Sequence, residues 1–390
     1  MASELRPGLG QKSAIFLLLV GCGSEEARHE SNGSGGNAGG GAAGSAGVGG
    51  GASGSNGDAA AGARGGSGAT GGAVSDAAPA GDGGDPAPGG YGTRQELIEA
   101  NSEMAVAEVN GKIYVIGGYP ASREVQATVQ VFDPQANSWD YGTPLPIPIH
   151  HPVAVGALGK LYSLGGQLTS GDTNRTLVFD PATGGAWQDL SPMPTARGAG
   201  AGALIGDKIY VAGGRPPAGN AFEVYDISDN AWTSLPDLPQ TFPERNHLAA
   251  TAIGGKVYVA GGRYNGGSFS DPRTDSLDVF DPALGSWQSR KPMLRPRGGV
   301  NGIAAFGCFF VWGGEGDAIG EPNNVYPDHD VYDPRSDTWT ALARLPVPVH
   351  GVTGAAFLDG LIYMPGGGTR QGGSSGSTIF QVYRPATRCE

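Results

Sequence analysis

Residues 104–118 read MAVAEVNGKIYVIGG, and this stretch decides the fold. Two short runs rich in β-branched and aromatic residues, Met104–Val109 and Lys112–Ile116, flank Asn110-Gly111. Asn-Gly between such runs is the strongest local signal for a β-hairpin, because both turn residues must take positive φ. Gly117-Gly118 then closes the unit. The phrase returns five times, with glycines at Gly165-Gly166, Gly213-Gly214, Gly261-Gly262, Gly313-Gly314 and Gly366-Gly367. Successive second glycines are 48, 48, 48, 52 and 53 residues apart. Several strands per unit at this period predict a ring of small sheets, a β-propeller.

Each copy continues alike. An aromatic-Asp pair follows at Phe132-Asp133, Phe179-Asp180, Tyr225-Asp226, Phe280-Asp281 and Tyr332-Asp333, and then a tryptophan at Trp139, Trp187, Trp232, Trp287 and Trp339. Double glycine, spaced aromatic and tryptophan resemble the kelch repeat, and the resemblance covers residues 91–390. It implies an all-β, six-bladed propeller with strands a to d in each blade. The sixth copy keeps Ile379–Tyr383 as strand c, but Arg384 replaces the Asp and no tryptophan follows. Tyr91–Ile98 stands where strand d precedes strand a in the other copies, so it is expected to complete blade six and remove an open edge. The tryptophans and aromatic-Asp pairs read as packing and turn residues rather than as chemistry.

The amino end is of another kind. Arg6 and Lys12 precede the apolar run Ile15–Val20, and Leu19-Val20-Gly21-Cys22 follows, the pattern of a secretory signal too short to span a bilayer. Those four residues resemble the bacterial lipobox. The resemblance implies a signal peptide over residues 1–21, a lipid on Cys22 and a bacterial envelope location. With Gly23 after the cysteine, it implies the outer membrane. Residues 22–90 are mostly Gly, Ala, Ser and Asn, with no apolar surface to offset chain entropy, and read as a disordered tether. Its mean span would be about 45 Å. The propeller is assigned to residues 91–390.

A net charge of −12 without a long basic run argues against a nucleic-acid partner. The three cysteines do not make a disulfide scaffold. Cys308 and Cys389 are both expected on the hairpin rim at different radial positions, and so unpaired.

In an up-and-down sheet, the b–c loop and the d-to-a connection open on one face. Ten residues before each hairpin turn stand Asn101, Ile149, Arg197, Arg245, Arg297 and His350, and two residues later Glu103, His151, Ala199, His247, Gly299 and Val352. Directly after the glycines come Tyr119, Gln167, Arg215, Arg263, Glu315 and Gly368. Arg197, Arg215, Arg245, Arg263 and Arg297 thus crowd one sector. With His247, Glu315 and His350 nearby, they are the expected binding site for carboxylate, sulfate or phosphate groups. Arg197, Arg245 and Arg297 have a competing reading as structural braces through backbone carbonyls, whereas Arg215 and Arg263 lie in loops. Glu103, His151 and His247 are suitable metal ligands. Coming from separate blades they are not expected to converge, so no metal is assigned. His150 and His329 read as solvated loop residues.

The copper-dependent kelch oxidases require a tyrosine, histidine and cysteine set that has no match here, and no cofactor is expected. Bacterial sialic acid mutarotases are more similar, with a Glu just after a double glycine and an Arg shortly beyond. Glu315 takes the first place, but no arginine follows, and Arg263 or Arg297 would have to substitute. Glu315 would then move a proton while arginine held a carboxylate. The leading expectation is a lipid-anchored module, not an enzyme, whose arginine-rich rim binds a protein or acidic glycan. A carbohydrate-acting enzyme of the mutarotase kind is the alternative.

Overall fold

A computed structural model describes residues 84–120, 122–239, 244–264, 272–318 and 320–390. Contacts divide the chain after Gly72, and the ring belongs to the unit that begins at Ala73. Cys22, the signal segment and the tether up to residue 83 lie outside the described residues.

Six blades, each with its own strands paired antiparallel, follow one another around an axis, and Val352–Thr353 of the last pairs parallel with Met104-Ala105 of the first. Blade one is Met104–Val109, Lys112–Ile116, Val129–Asp133 and Ser138–Tyr141. Blades three and four repeat it with Ala201–Ile205, Lys208–Ala212, Phe222–Asp226 and Ala231–Leu235, then Ala249–Ile253, Lys256–Ala260, Leu277–Asp281 and Ser286–Arg290. The hairpin forms as its sequence dictates: Asn110 and Gly111 have φ of 52° and 77°, and Val109 pairs with Lys112. Strands a wall a central cavity of about 330 Å³ lined by small residues such as Ala107, Ala154, Gly202 and Ala252.

The ring closes as expected. Tyr91–Thr93 pairs antiparallel with Phe380–Tyr383 as the outer strand of blade six, Tyr91 opposite Tyr383. The segment from Arg94 to Ile98 continues beside it without strand geometry. Residues 84–90, assigned to the tether, are docked too: Asp85 bridges Arg94 and Arg384 at 2.5 Å each.

Two devices join neighbouring blades. The N–H of each second glycine donates to a carbonyl of the next blade: Gly118 to Ile149, Gly166 to Arg197, Gly214 to Arg245, Gly262 to Arg297, Gly314 to Val349 and Gly367 to Asn101. The approach leaves no room for a side chain, since a Cβ on Gly313 would lie 2.2 Å from the Val349 oxygen. The repeat tryptophans complete the joint from outside. Nε1–H of Trp139, Trp187, Trp232, Trp287 and Trp339 donates to the carbonyls of Gln95, Thr143, Ser191, Pro236 and Lys291, at 2.8–3.0 Å, each on the preceding blade. Repetition of these contacts needs the glycine pair and the tryptophan at fixed places, which is why the sequence repeats them.

Three expectations need correction. Cys308 and Cys389 form a disulfide with Cα atoms 5.1 Å apart. The residues after Tyr383 run back across blade five, with Cys389 N–H on the Phe306 carbonyl and Arg388 over the Phe306 ring. An aperiodic tail gives no sign of that path. His329 is not solvated: it opens strand c of blade five, is buried, and faces the Tyr91 hydroxyl at 2.6 Å. His150 is half-buried, its Nδ1 2.5 Å from Nδ1 of His151.

Candidate functional site

Strands a begin at a ring of equivalent residues around the axis: Glu103, His151, Ala199, His247, Gly299 and Gly351. All six have positive φ, at 53°, 52°, 59°, 54°, 68° and 67° respectively. Their backbones bond in sequence around the axis, Glu103 N–H to Gly351, His151 to Glu103, Ala199 to His151, His247 to Ala199 and Gly299 to His247. The ring corrects the register of blade six. Val349, not His350, matches Arg297, because both accept from the second glycine of the preceding blade. An extra residue is absorbed where strand a breaks into Val352–Thr353 and Ala356–Leu358 at Gly354, whose φ is +76°. Counting back from the hairpin therefore misplaces His350 by one.

The shift moves His350 into the centre. Glu103, His151, His247, His350, Glu315 and Arg263 form one buried polar cluster at the loop end of the channel. Arg263 Nη1 donates to Glu315 Oε1 at 2.8 Å, and Gly372 N–H donates to Glu315 Oε2 at 2.6 Å. His151 Nε2 lies 2.8 Å from Glu103 Oε2 and 3.2 Å from His247 Nε2. His247 Nδ1 faces Asn246 Oδ1 at 2.6 Å, and His350 Nε2 faces the Arg370 carbonyl at 2.6 Å. Glu103, His151 and His247 therefore do converge, their donor atoms lying within 4.8 Å of one another. The expectation that separate blades keep them apart fails because all three occupy the one ring position that points at the axis.

Burial pushes the Glu103 carboxyl up, but His151, then His350 and Arg263, outweigh it and hold the group well below the usual carboxylate range. Burial, and after it the charge of Arg263, pushes His247 well below the ordinary imidazole value. His150 is driven down to about 3, chiefly by burial and next by His151. The cluster thus favours an ionised Glu103 carboxylate near a neutral His247 imidazole, groups suited to proton transfer or to holding a cation.

The arginine rim does not form as expected. Arg197, Arg245 and Arg297 are completely buried braces. Arg197 donates to the carbonyls of Gly213 and Ala221 and pairs with Glu223 at 2.6 Å. Arg245 donates to Gly261 and Ser276 and pairs with Asp278 at 2.6 Å. Arg297 donates to Gly313 and Asp328 and pairs with Asp330 at 2.5 Å. Each guanidinium fastens strands b and c of its own blade while its backbone carbonyl accepts from the blade before. A buried arginine requires such partners, and none of these three is available to a ligand. Arg215 lies half-buried beside the cluster. Arg263 is withdrawn from solvent against Glu315.

An outer feature escaped sequence reasoning. The b–c loops of blades four to six are fastened to one another: Arg273 pairs with Asp317 at 2.9 Å, Asn324 Nδ2 donates to Gln371 Oε1, and Gln371 N–H donates to the Asn323 carbonyl. Together with Glu321, which pairs with Arg344, and exposed Arg370, they make a ledge of mixed charge on the loop face. Its trace in the sequence was the lengthening of the repeat steps to 52 and 53 residues.

Comparison with known proteins agrees with the architecture. The KLHDC2/KLHL20/DRC7 Kelch-repeats domain model matches residues 94–262 and 149–368. Kelch-like protein terF of Aspergillus terreus is 37% identical over 95 residues, covering 24% of this chain and 20% of terF. Kelch-like ECH-associated protein 1A of Danio rerio is 31% identical over 104 residues, 27% of this chain and 17% of its own. Kelch-like protein 36 of Mus musculus is 47% identical over 51 residues, 13% of this chain and 8% of its own. The chain thus spans a fifth or less of the length of these curated relatives. With the family model covering most of the chain and six glycine-paired blades in place, the chain belongs to the kelch-repeat family.

Proposed function

We propose that the propeller is a protein-binding module that a lipid on Cys22 and a glycine-rich tether hold at a bacterial envelope, and that its loop face is the docking surface. The loop ledge of blades four to six carries this reading. Three neighbouring loops cross-linked by hydrogen bonds present Asp317, Asn323, Asn324 and Arg370 to solvent in a fixed arrangement. Ordered loops lose little entropy on docking, and mixed polar groups suit a protein surface. The Cys308–Cys389 disulfide supports export, since such bonds persist in oxidising compartments.

The carbohydrate readings draw less support. Arg197, Arg245 and Arg297 hold carbonyls and carboxylates of the fold, and Glu315 is bound by Arg263 and Gly372, so these four arginines do not form an open rim for an acidic glycan.

A photo-crosslinking residue placed at Arg370, and at exposed Leu284 on the opposite rim, tests the surface in the producing cell. Adducts from position 370 and none from 284 are expected; the reverse overturns the loop-face reading. Cys22→Ser is expected to release the chain from membranes, and retention there overturns the anchor.

A further inference from the structure

We propose that Glu103, His151 and His247 form a binding site for one zinc-class divalent metal ion on the propeller axis. Two imidazoles and one carboxylate are ligands of this class of ion. Their spacing suits it: 2.8 Å from Glu103 Oε2 to His151 Nε2, 3.2 Å from His151 Nε2 to His247 Nε2, and all three atoms within 4.8 Å. Ligands bonded to zinc at about 2.0–2.1 Å in tetrahedral arrangement stand roughly 3.3 Å apart.

The ring is built to admit these three side chains. Every position in it has positive φ, where glycine is the least strained choice, yet half the positions carry large donors. The other three carry Ala199, Gly299 and Gly351. A Cβ on Gly351 would lie 2.7 Å from the Glu103 carboxyl, so that glycine keeps the space the carboxylate fills.

Two neighbours point the same way. With its Nδ1–H given to Asn246 Oδ1, His247 turns the lone pair of Nε2 toward Glu103 and His151, the outer contact that fixes a metal-binding imidazole. His350 adjoins the same space. Its Nε2–H goes to the Arg370 carbonyl, and its buried Nδ1, which has no hydrogen-bond partner, faces Glu103 Oε1 at 3.8 Å and Glu315 Oε2 at 3.7 Å. That nitrogen lines the same space as the three ligand atoms.

The test uses the full chain freed of metal with a chelator and titrated with Zn²⁺ by calorimetry and with Co²⁺ by visible absorption. One equivalent is expected to bind, with imidazole-ligand bands for Co²⁺ and shifted ring nitrogens of two histidines by NMR on adding Zn²⁺. Glu103→Gln, His151→Ala and His247→Ala are each expected to weaken binding on the order of 100-fold or more, and His29→Ala to leave it unchanged. Failure of the parent to bind, unshifted histidine nitrogens, or binding that survives His247→Ala and vanishes with His29→Ala overturns the site. The parent spectra decide the matter even where a ring variant does not fold.

Discussion

The Arg263 guanidinium holds the Glu315 carboxylate at 2.8 Å across the junction of blades four and five, with both side chains removed from water. Removing one partner leaves a buried charge alone, so Arg263→Ala is expected to cost about 3–5 kcal/mol of stability. The double change to methionine at both positions should recover most of it. Denaturant unfolding measures both, and a single-variant loss below about 1 kcal/mol would mean that water reaches the pair.

The Cys308–Cys389 bond ties the end of the chain to strand b of blade five across 81 residues. In the chain-entropy account, closing a loop of that length stabilises by about 4.5 kcal/mol. Reduction, or Cys389→Ser, is expected to lower the unfolding midpoint accordingly. An unchanged midpoint after reduction would mean that the tail contributes nothing to blade packing.

Gly313 and Gly254 separate two costs of adding a methyl group. Both have positive φ, at 65° and 57°, but a Cβ on Gly313 would meet the Val349 oxygen at 2.2 Å whereas one on Gly254 meets nothing within 4 Å. Gly254→Ala should cost about 1–2 kcal/mol from backbone strain alone. Gly313→Ala should cost clearly more, since it also breaks the joint between blades five and six. Equal losses would show that the blade joint yields easily.

His329 makes the fold sensitive to acid. Burial, and then the Arg297 charge, lowers its pKa to about 3, against about 6.5 in an unfolded chain. Between those values the unfolded chain binds the extra proton, so this contribution to stability is complete above pH ~6.5 and is lost as pH falls toward 3. Thermal midpoints measured from pH 7 to 4 should fall. His329→Gln should flatten part of that slope; a slope equal to the parent's would assign the acid sensitivity to other groups.

Much of this protein was legible in its sequence because the decisive signals are local and repeated. Asn110-Gly111 sets a turn whatever surrounds it, the glycine pairs mark where each blade meets the next, and the missing strand d of the last copy identifies Tyr91 as its replacement. The site was legible only in its ingredients. Arg197, Arg245 and Arg297 share a register that sequence can find, but whether a guanidinium faces solvent or the carbonyls of Gly213, Gly261 and Gly313 depends on how blades pack.

Periodicity, being a property of neighbours along the chain, determined the strands, the blade number and the closure. The tertiary structure alone decided what stands on the axis. One extra residue before Leu361 re-registers His350, and closing the ring brings Glu103, His151 and His247 together from positions up to 144 residues apart. Such meetings depend on ring radius and side-chain direction, which arise only when all six sheets are in place.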